Sequence, residues 1–172
     1  MTSQEFTHTA LRANMDPSSG VATLTLAMPG RANVINAEFG DGLRDALAWA
    51  RTHDELKGII LTSSHGDFCA GADIDRLFAM TDPAELYKGV KELGALFRDI
   101  ETSSVPVVAA LNGTALGGGF ELALACHQLD VPSLTAHDVA LLPLVRPSDH
   151  APVAKALLLA DARREPPWPL AC

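Results

Sequence analysis

The sequence predicts an α/β domain with parallel strand pairing, and three observations carry that prediction. Short apolar, β-rich runs alternate with longer segments whose apolar residues recur every three or four positions. Turn signals bound the runs. The resulting order of strand, helix, strand, helix, strand, turn, helix is the one that buries a parallel sheet beneath crossover helices. With 172 residues and 48% hydrophobic content, the chain is long enough for one domain with its own core.

Each element has a local cause. "VATLTLA" (residues 21–27) is rich in β-formers and stops at Met28-Pro29-Gly30, a turn signal. "AEFGDGLRDALAWA" (Ala37–Ala50) spaces Phe39, Leu43, Ala46, Leu47 and Ala50 at helical intervals, with Asn36 as N-cap. Gly40 and Gly42 weaken its first turns, and Trp49 is predicted to enter the core. "GIILT" (residues 58–62) is a short buried strand. Residues 84–102 carry Leu86, Val90, Leu93, Phe97 and Ile100 at steps of four and three, the pattern of an amphipathic helix. Residues 105–111 form a continuous apolar strand ended by Asn112-Gly113, and a last helix starts near Gly118 or Gly119. No internal repeat is visible in the sequence.

The composition changes after His127. All 13 glycines lie at or before Gly119, whereas seven of the 11 prolines follow Gln128. Tight turns in an α/β core need residues that accept positive φ, and the tail has no glycine to supply them. The expected organisation is therefore residues 1–127 as the α/β unit and 128–172 as a divergent, Pro-rich tail. In that tail only residues 153–162 read as a short helix.

Charge and cysteine content exclude several classes. A net charge of -8 leaves no basic face for a phosphate backbone, so nucleic-acid binding is not expected. Cys69, Cys126 and Cys172 form no CxxC pair and no even framework, which fits free thiols in a reducing compartment. The opening "MTSQEFTHTALRANMD" has no signal or lipidation motif, and a cytoplasmic location is the expectation. Residues 105–126 approach membrane length, but Pro106, Asn112, three glycines and Glu121 make them costly in hydrocarbon.

The chemistry centres on "NGTALGGGFELALAC". A strand ending near Gly113 and a helix starting near Gly118 aim unpaired backbone N–H groups outward, where the helix dipole favours negative charge. Glu121 can reach the same place as a general acid or base. The triplet does not give GxGxxG, no GK[ST] follows it, and no GxSxG elbow is present. The glycines could instead serve close helix-to-strand packing, with Glu121 stabilising a helix start. A second small-residue turn follows another apolar strand in "GIILTSSHGDFCAGADIDRL", and two such turns can supply two donors to one developing oxyanion.

"DFCAGADIDRL" followed by "SSVPVVAALNGTALGGGFELALAC" resembles the enoyl-CoA hydratase/isomerase (crotonase) family, most closely the hydratase part of fatty-acid β-oxidation proteins. "MPGRANVINAEF" resembles the same family's early loop, so the match covers about residues 18–127. The resemblance implies a crotonase-like spiral of ββα units, here C-terminally truncated, and assembly as homotrimers or hexamers. It implies an acyl-CoA substrate, with coenzyme A as part of that substrate and no other cofactor or metal. It assigns the oxyanion-hole N–H groups to Ala72 and Gly118 and a catalytic carboxylate to Glu121. It places Ala70, Ala72, Asp73, Ile74, Leu116, Gly117 and Gly118 along the substrate, with Arg31 and Ala32 near the phosphate and pantetheine end.

The chain departs from the family in one respect that matters. Family hydratases carry a second glutamate in a Gly-Leu-Pro-Glu segment, whereas here that region reads "VALLPLVRPSDH", with Leu141 near the place. Asp130, Asp138 and Asp149 are acids by type but sit in no family motif. Ending the similarity at His127 makes the tail read as a frameshifted or truncated end, an expectation that translating the encoding DNA in all frames tests. Three functions stay open: hydration of trans-2-enoyl-CoA, a catalytically deficient fragment that still binds CoA, or an isomerase or decarboxylase using one acid/base group. His65 and His127 show no metal-ligand spacing. Cys69 and Cys126 read as packed thiols, and Asp73 as a helix-start residue.

Overall fold

The computed structural model describes residues 4–130. Its strands form one six-stranded sheet in chain order: β1 (Glu5–Thr7), β2 (Leu11–Asp16), β3 (Val21–Leu26), β4 (Gly58–Ser63), β5 (Val107–Ala110) and β6 (Gln128–Asp130). Pairing is parallel from β3 to β6, as expected, and antiparallel between β1, β2 and β3. The crossovers carry α1 (Ala37–Ala50), then α2 (Ile74–Ala79) and α3 (Pro83–Glu101), then α4 (Gly118–Ala125).

The antiparallel start, α2 and β6 are additions to the sequence expectation. In β2, Leu11, Ala13 and Met15 face inward while Arg12 and Asn14 face out, but alanine and asparagine are weak strand formers and mask this alternation. Strand β6 follows directly on the composition boundary at 127 and pairs Gln128, Leu129 and Asp130 with Val108, Ala109 and Ala110. The expected helix at 153–162, together with Asp138, Leu141 and Asp149, lies outside the described residues.

Burial follows the sheet's period of two. Leu24, Leu26, Ile59, Leu61, Val107 and Ala109 join the core, which α1 closes with Phe39, Leu43 and Leu47, α3 with Leu96 and Ile100, and α4 with Leu122. Ile60 and Val108 are buried on the opposite face, outside that cluster. Trp49 sits at the core's edge rather than within it. It is half-buried between Phe6 and His53, with ring centroids 5.9 and 4.7 Å away.

Helix α1 starts where the sequence places it, because the Asn36 carboxamide oxygen accepts from the Phe39 N–H at 3.0 Å. Asn36→Ala should lower stability by about 1 kcal/mol, read as a shift in urea midpoint with an unchanged slope. Gly42 is tolerated in this helix for a packing reason: a Cβ there would stand 2.5 Å from His8 Nδ1 and 2.8 Å from Leu11 Cδ2.

Helix α3 begins at Pro83 behind an Asp82 cap, a favoured order because proline has no N–H to leave unpaired. Its apolar stripe is covered only toward the C-terminus. Leu96 and Ile100 are buried, but Leu86, Tyr87 and Val90 are exposed, as are Ile74 and Phe78 of α2. Residues 105–126, the segment of near-membrane length, divide into β5, a loop and the eight-residue α4. Among the described residues no helix is long and apolar enough to cross a membrane.

Candidate functional site

Each parallel unit of the chain runs strand, short bridging segment, helix. The bridging segments are residues 33–35 after β3, 68–72 after β4 and 114–116 after β5, joined by isolated parallel bridges at Ile35–Ala72 and Cys69–Ala115. The middle segment is held on both sides. On one side Ala70 N–H donates to the Asn33 carbonyl at 2.9 Å, Ile35 N–H to Gly71 at 2.8 Å and Asp73 N–H to Ile35 at 3.1 Å. On the other, Phe68 N–H donates to Thr114 at 3.0 Å and Leu116 N–H to Cys69 at 3.0 Å. The ββα repeat is therefore a property of the backbone, present although the sequence shows no repeat.

Among the amides this ladder leaves without a backbone acceptor are those of Ala72 and Gly118. Ile35 bonds to the residues flanking Ala72, so the Ala72 N–H faces away from Ile35, and no backbone acceptor takes it among the described residues. At the start of α4, Gly119, Phe120 and Glu121 bond back to the carbonyls of Leu116 and Gly117, while the Gly118 N–H makes no such bond. That is the ordinary condition of a helix's first N–H. The two turns touch: a Cβ on Gly71 would stand 3.5 Å from Gly118 N and 2.7 Å from the Leu116 carbonyl oxygen. Gly71 also has φ +92°, which a side chain rarely adopts.

The carboxylate lies beside them. A Cβ on Gly118 would be 3.9 Å from Glu121 Oε2 and 3.0 Å from Ile35 Cδ1. Leu122 and Ala123 turn into the core, whereas the Glu121 side chain is exposed, so the carboxylate the sequence sets in apolar company faces outward. Ala70, Ala72, Ile74, Leu116, Gly117 and Arg31 are exposed, and Ala32, Asp73 and Gly118 are half-buried. Asp73 starts α2, its carboxylate accepting from Arg76 N–H at 3.2 Å and lying 3.4 Å from Asn36 Nδ2. A cavity of about 280 Å³ opens beside Ala72 and Asp73, walled by Ile35, by Leu77 and Met80 of α2, and by Val90 and Leu93 of α3.

Three polar residues at this end make bonds that the sequence does not announce, although Asn112 marks a turn there. Asn33 is fully buried, its carboxamide bonded to Met28 N, Ser63 Oγ and the Phe68 carbonyl. Ser63 is buried at the end of β4, and Asn112 Nδ2 donates to the carbonyls of Ser63 and His65. Asn112 Oδ1 is buried with no hydrogen-bond partner among the described residues. The available signal was a pair of asparagines flanking loops between apolar segments, where a buried amide can replace missing backbone partners.

Cys69 and Cys126 are buried free thiols. Burial pushes the Cys126 thiol from 9.0 up to about 12. Burial also raises Cys69, with a backbone hydrogen bond at Gly71 acting in the opposite direction. The fold thus holds both protons at pH values where the unfolded chain releases them. Stability should be at its full value below the ordinary thiol value of 9.0 and decline as pH rises toward about 12. The slope is at most about 1.4 kcal/mol per pH unit for each thiol. Urea midpoints measured across that window check this, and Cys126→Ala should flatten the decline. His65 Nε2 lies 2.9 Å from the Met28 carbonyl, and His127 Nδ1 accepts from Val107 N–H. Among the described residues no three His, Cys, Asp or Glu side chains gather as a metal site.

Comparison with known proteins places this fold in a class. The enoyl-CoA hydratase of Geobacillus kaustophilus superposes with a TM-score of 0.68 at 28% identity, over 73% of this chain and 46% of that one. The enoyl-CoA hydratase of Thermoplasma volcanium gives a TM-score of 0.64 at 30% identity, over 70% and 47%. The fold is thus the crotonase-like α/β architecture. The family model described as enoyl-CoA hydratase/isomerase matches residues 16–131, and the chain belongs to that family. It is 43% identical over 115 residues to the fatty acid oxidation complex subunit alpha of Shewanella halifaxensis, and 42% identical over 112 residues to that of Shewanella loihica. Those matches cover 63% and 64% of this chain. The chain spans only 16% of each of these relatives and about half of the solved structures.

Proposed function

We propose that this chain binds a coenzyme A thioester and hydrates trans-2-enoyl-CoA as a step of fatty-acid β-oxidation. The observation that carries the reading is the contact of two small-residue turns, each presenting an N–H without a backbone acceptor, beside one carboxylate. In this reading the thioester oxygen sits between the Ala72 and Gly118 N–H groups. As a water oxygen bonds to the β-carbon, Glu121 takes one of its protons and the carbonyl becomes an enolate oxygen. The proton then passes to the α-carbon, leaving the 3-hydroxyacyl thioester. Fixed donors stabilise the enolate more than the neutral thioester, and that difference is what accelerates the step.

The acyl chain would lie along the apolar cavity beside Ala72, with Ala70, Ile74, Leu116 and Gly117 around the thioester and pantetheine. Arg31 and Ala32, in the loop after β3, would face the nucleotide end. Coenzyme A enters only as part of the substrate, and the chemistry calls on no metal or redox group. Trimeric or hexameric assembly and a cytoplasmic location belong to the same proposal, the first supported by the exposed apolar residues of α2 and α3.

Among the described residues Glu121 is the carboxylate set beside both turns, and this also favours a second reading, double-bond isomerisation, which needs one group to move one proton. The test is to follow a short trans-2-enoyl-CoA with the purified chain and identify the product. A 3-hydroxyacyl-CoA supports hydration, and a shifted double bond supports isomerisation. CoA-ester binding without turnover overturns both in favour of a binding role.

A further inference from the structure

Ser63 ends β4, an inner strand of the parallel half, and its hydroxyl is used to its full capacity of one donor and two acceptors. Oγ donates to the Asp67 carbonyl at 2.7 Å and receives Asn33 Nδ2 at 2.8 Å and the His65 N–H at 3.0 Å. From this node two routes lead outward. Through Asn33, one runs to Phe68 by the carboxamide and to Ala70 by the Asn33 carbonyl, hence to the turn that ends at Ala72. The other runs through the Ser63 carbonyl to Asn112, and through Asp67, whose carboxylate accepts the Thr114 N–H at 3.2 Å, to the loop that ends at Gly118.

We propose that Ser63 is a positioning residue that sets the separation of the Ala72 and Gly118 N–H groups. The inference rests on the oxyanion role proposed for those groups, but it makes a separate claim. The two turns belong to different strand-to-helix connections, and the Ser63 hydroxyl and carbonyl are shared by the bonds that brace both. Losing the hydroxyl removes three bonds at once without touching the substrate. The turns remain linked by the Cys69–Leu116 bond, so the fold survives while the donors lose their fixed spacing.

The experiment reads donor geometry directly and needs no turnover. A push–pull thioester, 4-(dimethylamino)cinnamoyl-CoA, absorbs further to the red when its carbonyl receives hydrogen bonds. Bound to the full chain it should show that red shift. Ser63→Ala should bind it within about threefold of the parent affinity yet show less than about half the shift. Ser63→Thr, which keeps the hydroxyl, should restore most of it. Asp67→Ala, which removes the carboxylate that carries the hydroxyl's branch of the second route to Thr114, should behave like Ser63→Ala and decides the matter if Ser63→Ala does not fold. A full shift in a folded Ser63→Ala or Asp67→Ala protein overturns the positioning role and leaves the proposed function standing. No shift in the parent chain with the probe bound overturns both.

Discussion

Glu121→Gln should lower hydration by roughly 10²–10⁴-fold, the usual contribution of one positioned acid or base. Glutamine keeps the length and shape of the side chain and can still hold a water by hydrogen bonds. It cannot take that water's proton at neutral pH. The side chain is exposed at the first turn of α4 and makes no contact the core depends on, so the substitution leaves the fold nearly unaltered, within about 0.5 kcal/mol. Rate and stability should therefore separate: denaturant midpoints coincide while kcat collapses. If kcat is unchanged, Glu121 is not the acid/base and the search moves to another carboxylate.

Gly71→Ala should damage both properties. The backbone there has φ +92°, so any side chain is strained. The added methyl would also stand 2.7 Å from the Leu116 carbonyl oxygen, a backbone atom that cannot rotate away. Relief requires the 68–72 segment and the start of α4 to move apart, which widens the gap between the Ala72 and Gly118 N–H groups. The expected cost is about 1–3 kcal/mol of stability and a further loss of roughly 10²–10³-fold in kcat, comparable to removing one oxyanion donor. Gly66→Ala is the control, since a Cβ there meets nothing within 4 Å. It should leave kcat unchanged. Equal rates for Gly71→Ala and the parent chain would separate this turn from the chemistry.

The parallel half of the fold was legible because its signals are local. Phe39, Leu43 and Leu47 repeat at helical spacing behind a capping asparagine, and residues 58–62 and 105–111 are short runs of the kind a buried strand requires. What could not be read are features decided by distant partners. Strand β2 depends on pairing with β3 for its identity, and α2 buries none of its residues, so no apolar period announces it. Trp49 sits on the predicted helix, yet its depth depends on Phe6, a residue of a strand that was not foreseen.

The site divides in the same way. Small residues after apolar strands are visible in the sequence, and the structure brings Gly71, Ala72, Gly118 and Glu121 together as adjacent groups. The exposure of Glu121 and the buried amide of Asn33 were not visible, since both follow from which backbone groups happen to face them. The resemblance assigns roles to the Ala72 and Gly118 N–H groups, whereas the hydrogen bonds that brace their turns appear only when residues 63, 67 and 112 meet.

Because the Ala72 turn follows β4 and the Gly118 turn follows β5, the corner where they meet belongs to neither repeat alone. It is a relation between consecutive copies, with a width tied to the step from one copy to the next. The sheet sets the coarse step, about 4.8 Å between hydrogen-bonded strands, and leaves the finer spacing of the two turns to the side-chain bonds around Ser63. The crossover through α2 and α3 on the way from β4 to β5 can vary in length and surface while that corner keeps its size. The architecture thus lets the cavity walled by α2 and α3 diversify around a measure that the sheet holds and a few side-chain bonds refine.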